Sequence, residues 1–198
     1  MLLSLANAAT AHGAATDIIV RKRPASIECL RLPPAQKRTA KTTWFFHCRP
    51  NFSFTSTSSA GQPITLKVTS VKIALSLSIE TVLPARLSKR LADHEKGHRS
   101  ICETIYGSAD VYAKECAEAM VGTQFKTTCT DLAAAEESAA AQAGQKFCRQ
   151  YCAKTTIVVN AISDTFDRLT DHSHNKAISS AQAVKEAFVS YQRHPSKE

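Results

Sequence analysis

The chain has 198 residues, of which 43% are hydrophobic and 21% are charged, and its formal net charge is +8. This composition is typical of a globular protein, and the length suits one domain. No apolar run reaches the roughly 18 residues that a membrane-spanning helix needs. The basic residues are scattered, without a long run or interleaved aromatic residues, so we expect no nucleic-acid partner.

The N-terminal residues are small and apolar, and Ala6-Asn7-Ala8 resembles a signal-peptidase site, although no basic segment precedes it. We expect residues 1–15 to be a remnant signal peptide or a disordered N-terminus, and residues 16–194 to form one domain.

Seven cysteines are many for a chain of this length, and they favour an oxidising compartment, either the periplasm or the exterior of the cell. Disulfide bonds are therefore expected. Cys29 and Cys48 are candidates to join two strands, and Cys102 and Cys116 are candidates to join two helices. No CxxC pair is present, so a structural zinc site built from thiolates is not expected.

Strand patterns occupy the chain before Pro84. Ser70–Glu80 alternates apolar and polar residues with a period of two, which predicts a strand with one core face and one open face. Thr43–Phe54 is rich in aromatic residues, and Asp17–Arg21 and Ser26–Leu32 are weaker strand candidates. We predict a small, mainly antiparallel sheet.

Helical patterns follow Pro84, which suits a first helical turn. Residues 87–105 carry an apolar stripe with steps of three and four, and Gly107 is a natural stop. Further helices are predicted at about 109–121, 131–153, 158–169 and 177–191. The fold class is therefore α+β, with an N-terminal sheet followed by a helical half.

The stripe contains His94-Glu95-Lys96-Gly97-His98. Histidines four residues apart share one face of a helix, so both imidazoles can reach a single Zn²⁺. Glu95 points away from the ligand axis and is placed to take a proton from a metal-bound water. Gly97 leaves room for another segment or for substrate to approach closely.

A catalytic zinc usually takes three protein ligands and keeps one position open. His172 and His174 lie in one polar loop and are both candidates for the third ligand. Glu115 and Glu118 remain acidic alternatives. Three carboxylates are candidates to orient the ligand imidazoles, namely Asp93, Asp167 and Asp171. The alternative for each is a solvated charge or a helix cap.

Three segments resemble a bacterial family of secreted zinc-dependent proteases that is catalogued as a domain of unknown function. They are the alternating strand that leads to Leu83-Pro84, the HExGH sequence at 94–98, and the run from Phe166 to Ser173, which is similar to the family's Tyr-Asp-x-x-Thr-x-His-Gly. The resemblance implies a zincin-like metallopeptidase fold with His172 as the third ligand. Phe166 replaces the family's Tyr, and Ser173 replaces its Gly.

The sequence therefore predicts a zinc-dependent hydrolase, expected to be a peptidase, with His94, His98 and His172 as metal ligands and Glu95 as the general base. Its partners would be peptide or protein substrates, and the Ser70–Glu80 strand is a candidate to pair with an extended peptide. Two other functions stay open: a non-catalytic metal-binding or structural module of the cell envelope, and a basic surface-binding protein.

Overall fold

The computed structural model describes residues 17–33, 40–56 and 62–194, so the expected signal remnant at 1–15 lies outside the described residues. The strands are β1 (Asp17–Lys22), β2 (Ser26–Arg31), β3 (Lys41–Ser56), β4 (Thr65–Leu83) and β5 (Gln124–Lys126). The helices are α1 (Lys89–Gly107), α2 (Ala109–Met120), α3 (Leu132–Lys154), α4 (Thr156–Thr170) and α5 (Ser180–Arg193).

The α+β class is confirmed, but the prediction of a mainly antiparallel sheet is wrong. The long strand β4 is central; β3 pairs antiparallel along one side, and β1 and β2 pair parallel, end to end, along the other. The end of β2 and the start of β3 both lie beside Val82 of β4. β2 and β3 therefore run in opposite directions on the two sides of β4. Because β3 is antiparallel to β4, β2 is parallel to it.

The period-two pattern of β4 is confirmed, since Val71, Ile73 and the alternate residues up to Ile79 are buried and face the helices. Earlier in the strand the buried positions are the even-numbered Leu66 and Val68. A β-bulge causes this change, because Phe54 of β3 pairs with Val68 while Ser53 pairs with Ser70. One extra residue in β4 reverses which side chains point to the core.

Strand β4 is paired on both sides, so the prediction that a peptide substrate adds beside Ser70–Glu80 is wrong. Among the described residues, β3 has one paired side only, and its other side is an edge of the sheet. The start of β3 contacts α1, because the Thr42 hydroxyl donates to the Glu95 carboxylate. Among the described strands, the free side of β3 and the outer sides of β1 and β2 are therefore the edges that can accept a further strand.

The predicted helices are present, with one change at the start of α1. The helix begins at Lys89 rather than at Pro84, because the Ser88 hydroxyl accepts the backbone N–H of Leu91 at 3.1 Å and caps the N-terminus. It ends at Gly107, as predicted. In the described part of the chain, no helix combines the length and the hydrophobicity required to cross a bilayer.

All seven cysteines are free thiols, and the expected Cys29–Cys48 bridge is geometrically excluded. Cys29 pairs with Thr81 on one side of β4, and Cys48 pairs with Leu75 on the other side. The two cysteines are separated by two strand spacings and by six residues along β4, which is a distance of roughly 20 Å. A disulfide needs Cα atoms within about 7 Å. The Cys148 thiol of α3 lies 3.9 Å from the Cys48 carbonyl oxygen instead.

Helices α1 and α4 meet at Gly97. This agrees with the expectation that the missing side chain lets another segment approach closely. A Cβ atom at this position would lie 2.4 Å from Cζ of Phe166, which is far inside van der Waals contact. Phe166 is fully buried, so its ring cannot swing into solvent to make room. The absence of a side chain at Gly97 thus sets how closely α4 docks on α1.

We therefore expect Gly97→Ala to lower the free energy of unfolding by about 1–2 kcal/mol, because overpacking outweighs the better helix propensity of alanine. Urea denaturation of metal-free protein measures the change. The matched control is Gly144→Ala in α3, where nothing lies within 4 Å of the added Cβ, and which should stabilise by about 0.5–1 kcal/mol. Equal effects of the two substitutions would contradict the steric argument.

Candidate metal centre

The two histidines of the motif lie on the buried side of α1. His94 and His98 are only 4% and 7% exposed, and Ile101, Cys102 and Ile105 continue the buried stripe along the helix. The two imidazole rings meet edge to face, with 4.9 Å between their centroids. The prediction that the motif faces inward is confirmed.

Aromatic side chains from two other elements enclose these imidazoles. Phe166 of α4 stacks on His94 at 4.9 Å between centroids and meets His98 edge-on at 5.0 Å. Trp44 of β3 stacks on His98 at 5.9 Å, and its indole N–H donates to the side-chain oxygen of Asn160 on α4. The rings are therefore held in fixed orientations in an apolar surrounding, which strengthens electrostatic interactions.

Thr170, at the end of α4, sets the tautomer of His94. Its hydroxyl donates to the Phe166 carbonyl oxygen at 2.8 Å and lies 3.2 Å from Nδ1 of His94. Because the hydroxyl proton is used in the first bond, Nδ1 must be the donor in the second. The lone pair of His94 then lies on Nε2, which points away from Thr170, as in a metal-binding histidine oriented by a hydrogen bond at its other nitrogen.

The Asp167 carboxylate of α4 lies at the point where the imidazoles converge. Its Oδ1 is 3.2 Å from Nε2 of His94, 3.0 Å from Nε2 of His98 and 3.8 Å from Nδ1 of His172. His94, Asp167 and His172 therefore bring ligand atoms within 4.8 Å of one another, and His98 adds a contact with Asp167 from the next turn of α1. The sequence suggested Asp167 only as an orienting carboxylate, or as a solvated charge.

Asp167 Oδ1 is buried, and its contacts with His94 and His98 are within hydrogen-bonding distance but do not meet the full geometric criterion for a hydrogen bond. Burial opposes ionisation of Asp167, but the imidazoles of His94 and His98 outweigh it and hold the pKa of this carboxyl well below its usual range. A cation bound between these groups would likewise stabilise the ionised carboxylate.

The donor spacing fits a small metal ion. Bonds of about 2.0–2.1 Å in a tetrahedron place neighbouring ligand atoms about 3.3 Å apart, close to the separations between Asp167 Oδ1 and the Nε2 atoms of His94 and His98. In the described residues, the group whose ligand atoms all lie within 4.8 Å of one another consists of His94, Asp167 and His172.

His172 is carried by a strained turn. Asp171, His172 and Ser173 have φ angles of 45°, 47° and 79°, which is a run of three non-glycine residues in the left-handed region. Ser173 stands where the resembling family has Gly, a residue that accepts this backbone conformation without strain. Arg90 of α1 donates to the Ser173 carbonyl oxygen and holds the turn against the motif helix.

The other candidate ligands are engaged elsewhere. Nδ1 of His174 lies 2.8 Å from the Asp171 carbonyl oxygen, within its own turn. Glu115 pairs with Lys154 of α3 at 2.9 Å, and Asp93 pairs with Lys89 one turn earlier in α1. Glu118 lies 4.0 Å from Lys114 on the same helix.

Glu95 is buried on the side of α1 that faces the sheet. The Thr42 hydroxyl of β3 donates to its Oε2 at 2.6 Å, and Thr42 lies 3.3 Å from the hydroxyl of Thr81 on β4. The carboxylate lines a cavity of about 140 Å³ together with Cys29 and Arg99. No described residue forms an ion pair with Glu95, so its negative charge is available to a proton or to a metal-polarised group.

A cleft of about 660 Å³ gives solvent access to the centre. It lies between α4 and the end of α5 and is lined by Asp164, Asp167, Arg168, His172, Tyr191 and His194. This volume is in the range of small-molecule and peptide-side-chain sites. Two of the four converging residues, Asp167 and His172, therefore face an open cleft, while His94 and His98 lie behind them.

Two contributors to the centre went unrecognised in the sequence, and a third was noted there only as part of the motif that resembles the protease family. Thr42 and Trp44 come from β3, and neither stands near the motif in sequence or carries a signal of its own. The third, Thr170, follows Asp167 by one helical turn. This spacing puts both on one face of α4 and was the signal that could have assigned them together.

Comparison with known proteins adds no assignment, since the chain matches no protein family, no curated protein and no solved structure at a significant level. The resemblance to secreted zinc-dependent proteases therefore rests on the residues of its motifs alone.

We expect Asp167→Asn to weaken zinc binding by at least about 100-fold, because the substitution removes a charged ligand and leaves an amide in its place. Competition with a chromophoric chelator measures the affinity. Asp164→Asn is the matched control, as it removes the same charge from the same cleft. Similar losses in both variants would mean that the cleft acts only through its total charge.

His172→Ala should lower zinc affinity more than His174→Ala, because only His172 lies beside Asp167. The loss at His172 is expected to be smaller than at Asp167, since the His172 side chain is 74% exposed and its contact is longer. The same competition assay applies. A larger loss in His174→Ala would reassign the ligand within the turn.

Proposed function

We propose that this chain is a zinc-dependent hydrolase, with a peptide or protein as its substrate. The observation that carries the proposal is the convergence of donor atoms on the buried Asp167 oxygen, which lies within 3.2 Å of two imidazole nitrogens and 3.8 Å from a third. Nitrogen and oxygen donors at this spacing suit zinc better than they suit the hard, oxygen-preferring magnesium or calcium ions.

We assign His94, His98 and Asp167 as the ligands of the buried side of the ion, and His172 as the ligand of the open side. The first three are held by packing and by the Thr170 hydrogen bond. His172 is exposed and stands in a strained turn, so it is the ligand that can give way when a substrate enters. This assignment keeps the predicted set of His94, His98 and His172 and adds Asp167.

A zinc ion bound there would supply a Lewis acid and a water nucleophile at neutral pH. Glu95 is the general base of the proposal, because it follows His94 directly on the helix and has no counter-ion among the described residues. The Thr42 hydroxyl bonds one carboxylate oxygen and so fixes the plane of the group. Glu95 would take a proton from the attacking water and pass it to the leaving nitrogen.

The peptide is expected to reach the centre through the cleft between α4 and α5, where Asp167 and His172 are exposed to it. Near the motif, its extended backbone can pair with the edge at the start of β3, beside Thr42 and Trp44, or with the outer edge of β2, where Cys29 lines the cavity at Glu95. The proposed site of action is the periplasm or the exterior of the cell, for which the cysteine content is the support.

A non-catalytic metal-binding module is the second candidate, and the four converging side chains favour it. Structural zinc sites have four protein ligands, whereas catalytic sites keep a position for water. The hydrolase requires that His172 leaves the ion and that Glu95 accepts a proton from water. The non-catalytic module requires neither.

We expect Glu95→Gln to bind zinc like the wild type and to lose at least about 100-fold of its hydrolytic rate, because glutamine keeps the Thr42 hydrogen bond but cannot accept a proton. Cleavage of a mixed peptide library, followed by mass spectrometry, measures the rate. Glu103→Gln is the control, since Glu103 is an exposed carboxylate on the same helix that pairs with Arg99.

Chelation should abolish cleavage, and added zinc should restore it. Equal rates for wild type and Glu95→Gln would remove Glu95 from the mechanism. A wild-type protein that binds one zinc tightly and cleaves nothing in the library would favour the non-catalytic module.

A further inference from the structure

The face of the sheet that is turned away from the helices carries a cluster of basic side chains. Arg21 of β1 and Arg49 of β3 both pair with Ala74 of β4, from opposite sides. Directly paired residues point to the same face of a sheet, and Ala74 is exposed on the open face. Two guanidinium groups therefore flank one methyl group.

A second row repeats this arrangement one step along the strands. His47 of β3 pairs with Ser76 of β4, and Arg23 follows β1 and borders the same depression on the opposite side. The depression has a volume of about 330 Å³ and is lined by Arg23, His47, Arg49, Ala74, Leu75, Ser76 and Ser78, whereas Arg21 stands outside this lining, across Ala74 from Arg49. Its walls are cationic or imidazole side chains, and its floor is made of small residues.

The strand geometry gives the size of this site. Neighbouring strands lie about 4.8 Å apart and alternate residues about 6.7 Å apart, so the four basic positions mark a rectangle of roughly 10 by 7 Å. Flexible arginine side chains can turn inward over the floor from its corners. The rectangle fits a compact anion with several charged groups better than it fits a single carboxylate.

The charges of the cluster are not neutralised by the protein. Arg21, Arg23, Arg49 and the neighbouring Lys72 form no ion pair with a described residue, whereas Lys22, which points to the opposite face, pairs with Asp110. The carboxylates of the open face lie further along the strands: Asp17 pairs with Ser70, four residues before Ala74, and Glu28 pairs with Glu80, four residues after Ser76. Like charges side by side on a sheet are destabilising, and a bound anion would remove that cost.

We propose that this open face is a binding site for an oligophosphate, a ligand with two or more linked phosphate groups. Guanidinium groups form bidentate pairs with phosphate oxygens, and a ligand with linked phosphates presents several such groups at the spacing of these basic side chains. The site shares no residue with the metal centre and lies on the other face of the sheet. It does not depend on the proposed hydrolase activity.

Isothermal titration with sodium tripolyphosphate tests the proposal. We expect one molecule to bind per chain, and the double variant Arg21→Gln with Arg49→Gln to weaken binding at least about tenfold. The charge-matched control is Lys146→Gln with Arg149→Gln, two exposed positions of α3, which should change affinity less than about twofold. Zinc content and the thermal unfolding temperature should be the same in all three proteins.

An equal loss in both double variants would show that binding follows net charge alone, and the proposal would be wrong. It would also be wrong if wild type does not bind tripolyphosphate, or if the face binds a single-stranded oligonucleotide but not tripolyphosphate. Because zinc content is measured in the same samples, loss of the metal centre would be seen separately from loss of anion binding.

Discussion

The docking of α4 on α1 is the contact on which the site depends. The Phe166 ring occupies the space that a side chain at Gly97 would take, and it lies against both imidazoles of the motif. Its neighbour Asp167 is thereby carried to the nitrogens of His94 and His98. A shift of this helix by the size of one methyl group would move the Asp167 oxygen away from the two imidazoles, so the geometry of the candidate metal centre depends on the packing of the hydrophobic core.

Local patterns in the sequence were sufficient to predict the helices and strands, but not whether neighbouring strands run parallel or antiparallel. The alternation of β4 and the stripe of α1 are properties of neighbouring residues, and both are seen in the structure. The parallel pairing of β1 and β2 depends on where the chain turns around the end of β4, and no short segment records it. The bridge expected between Cys29 and Cys48 failed for the same reason, since it assumed neighbouring strands.

The candidate site divides in the same way. His94, Glu95 and His98 are recognisable because their spacing matches one face of a helix. From the sequence, Asp167 looked like an accessory carboxylate. Its proposed role appears only when α4 packs on α1, whose histidines precede Asp167 by about seventy residues. Thr42, which holds the proposed base, carries no pattern at all. Site residues that share one short motif can be recognised in the sequence. Site residues that come together only through tertiary packing cannot.

The central position of β4 also has a consequence for the order of events during synthesis. β1 and β2 leave the ribosome first, yet their pairing partner in the described structure is a strand that begins more than thirty residues after β2 ends. Until β4 emerges, both strands have exposed backbone groups and nothing to pair with. The N-terminal part of the sheet is therefore expected to assemble last, onto an existing β3–β4 hairpin, and to be the segment most in need of protection from aggregation.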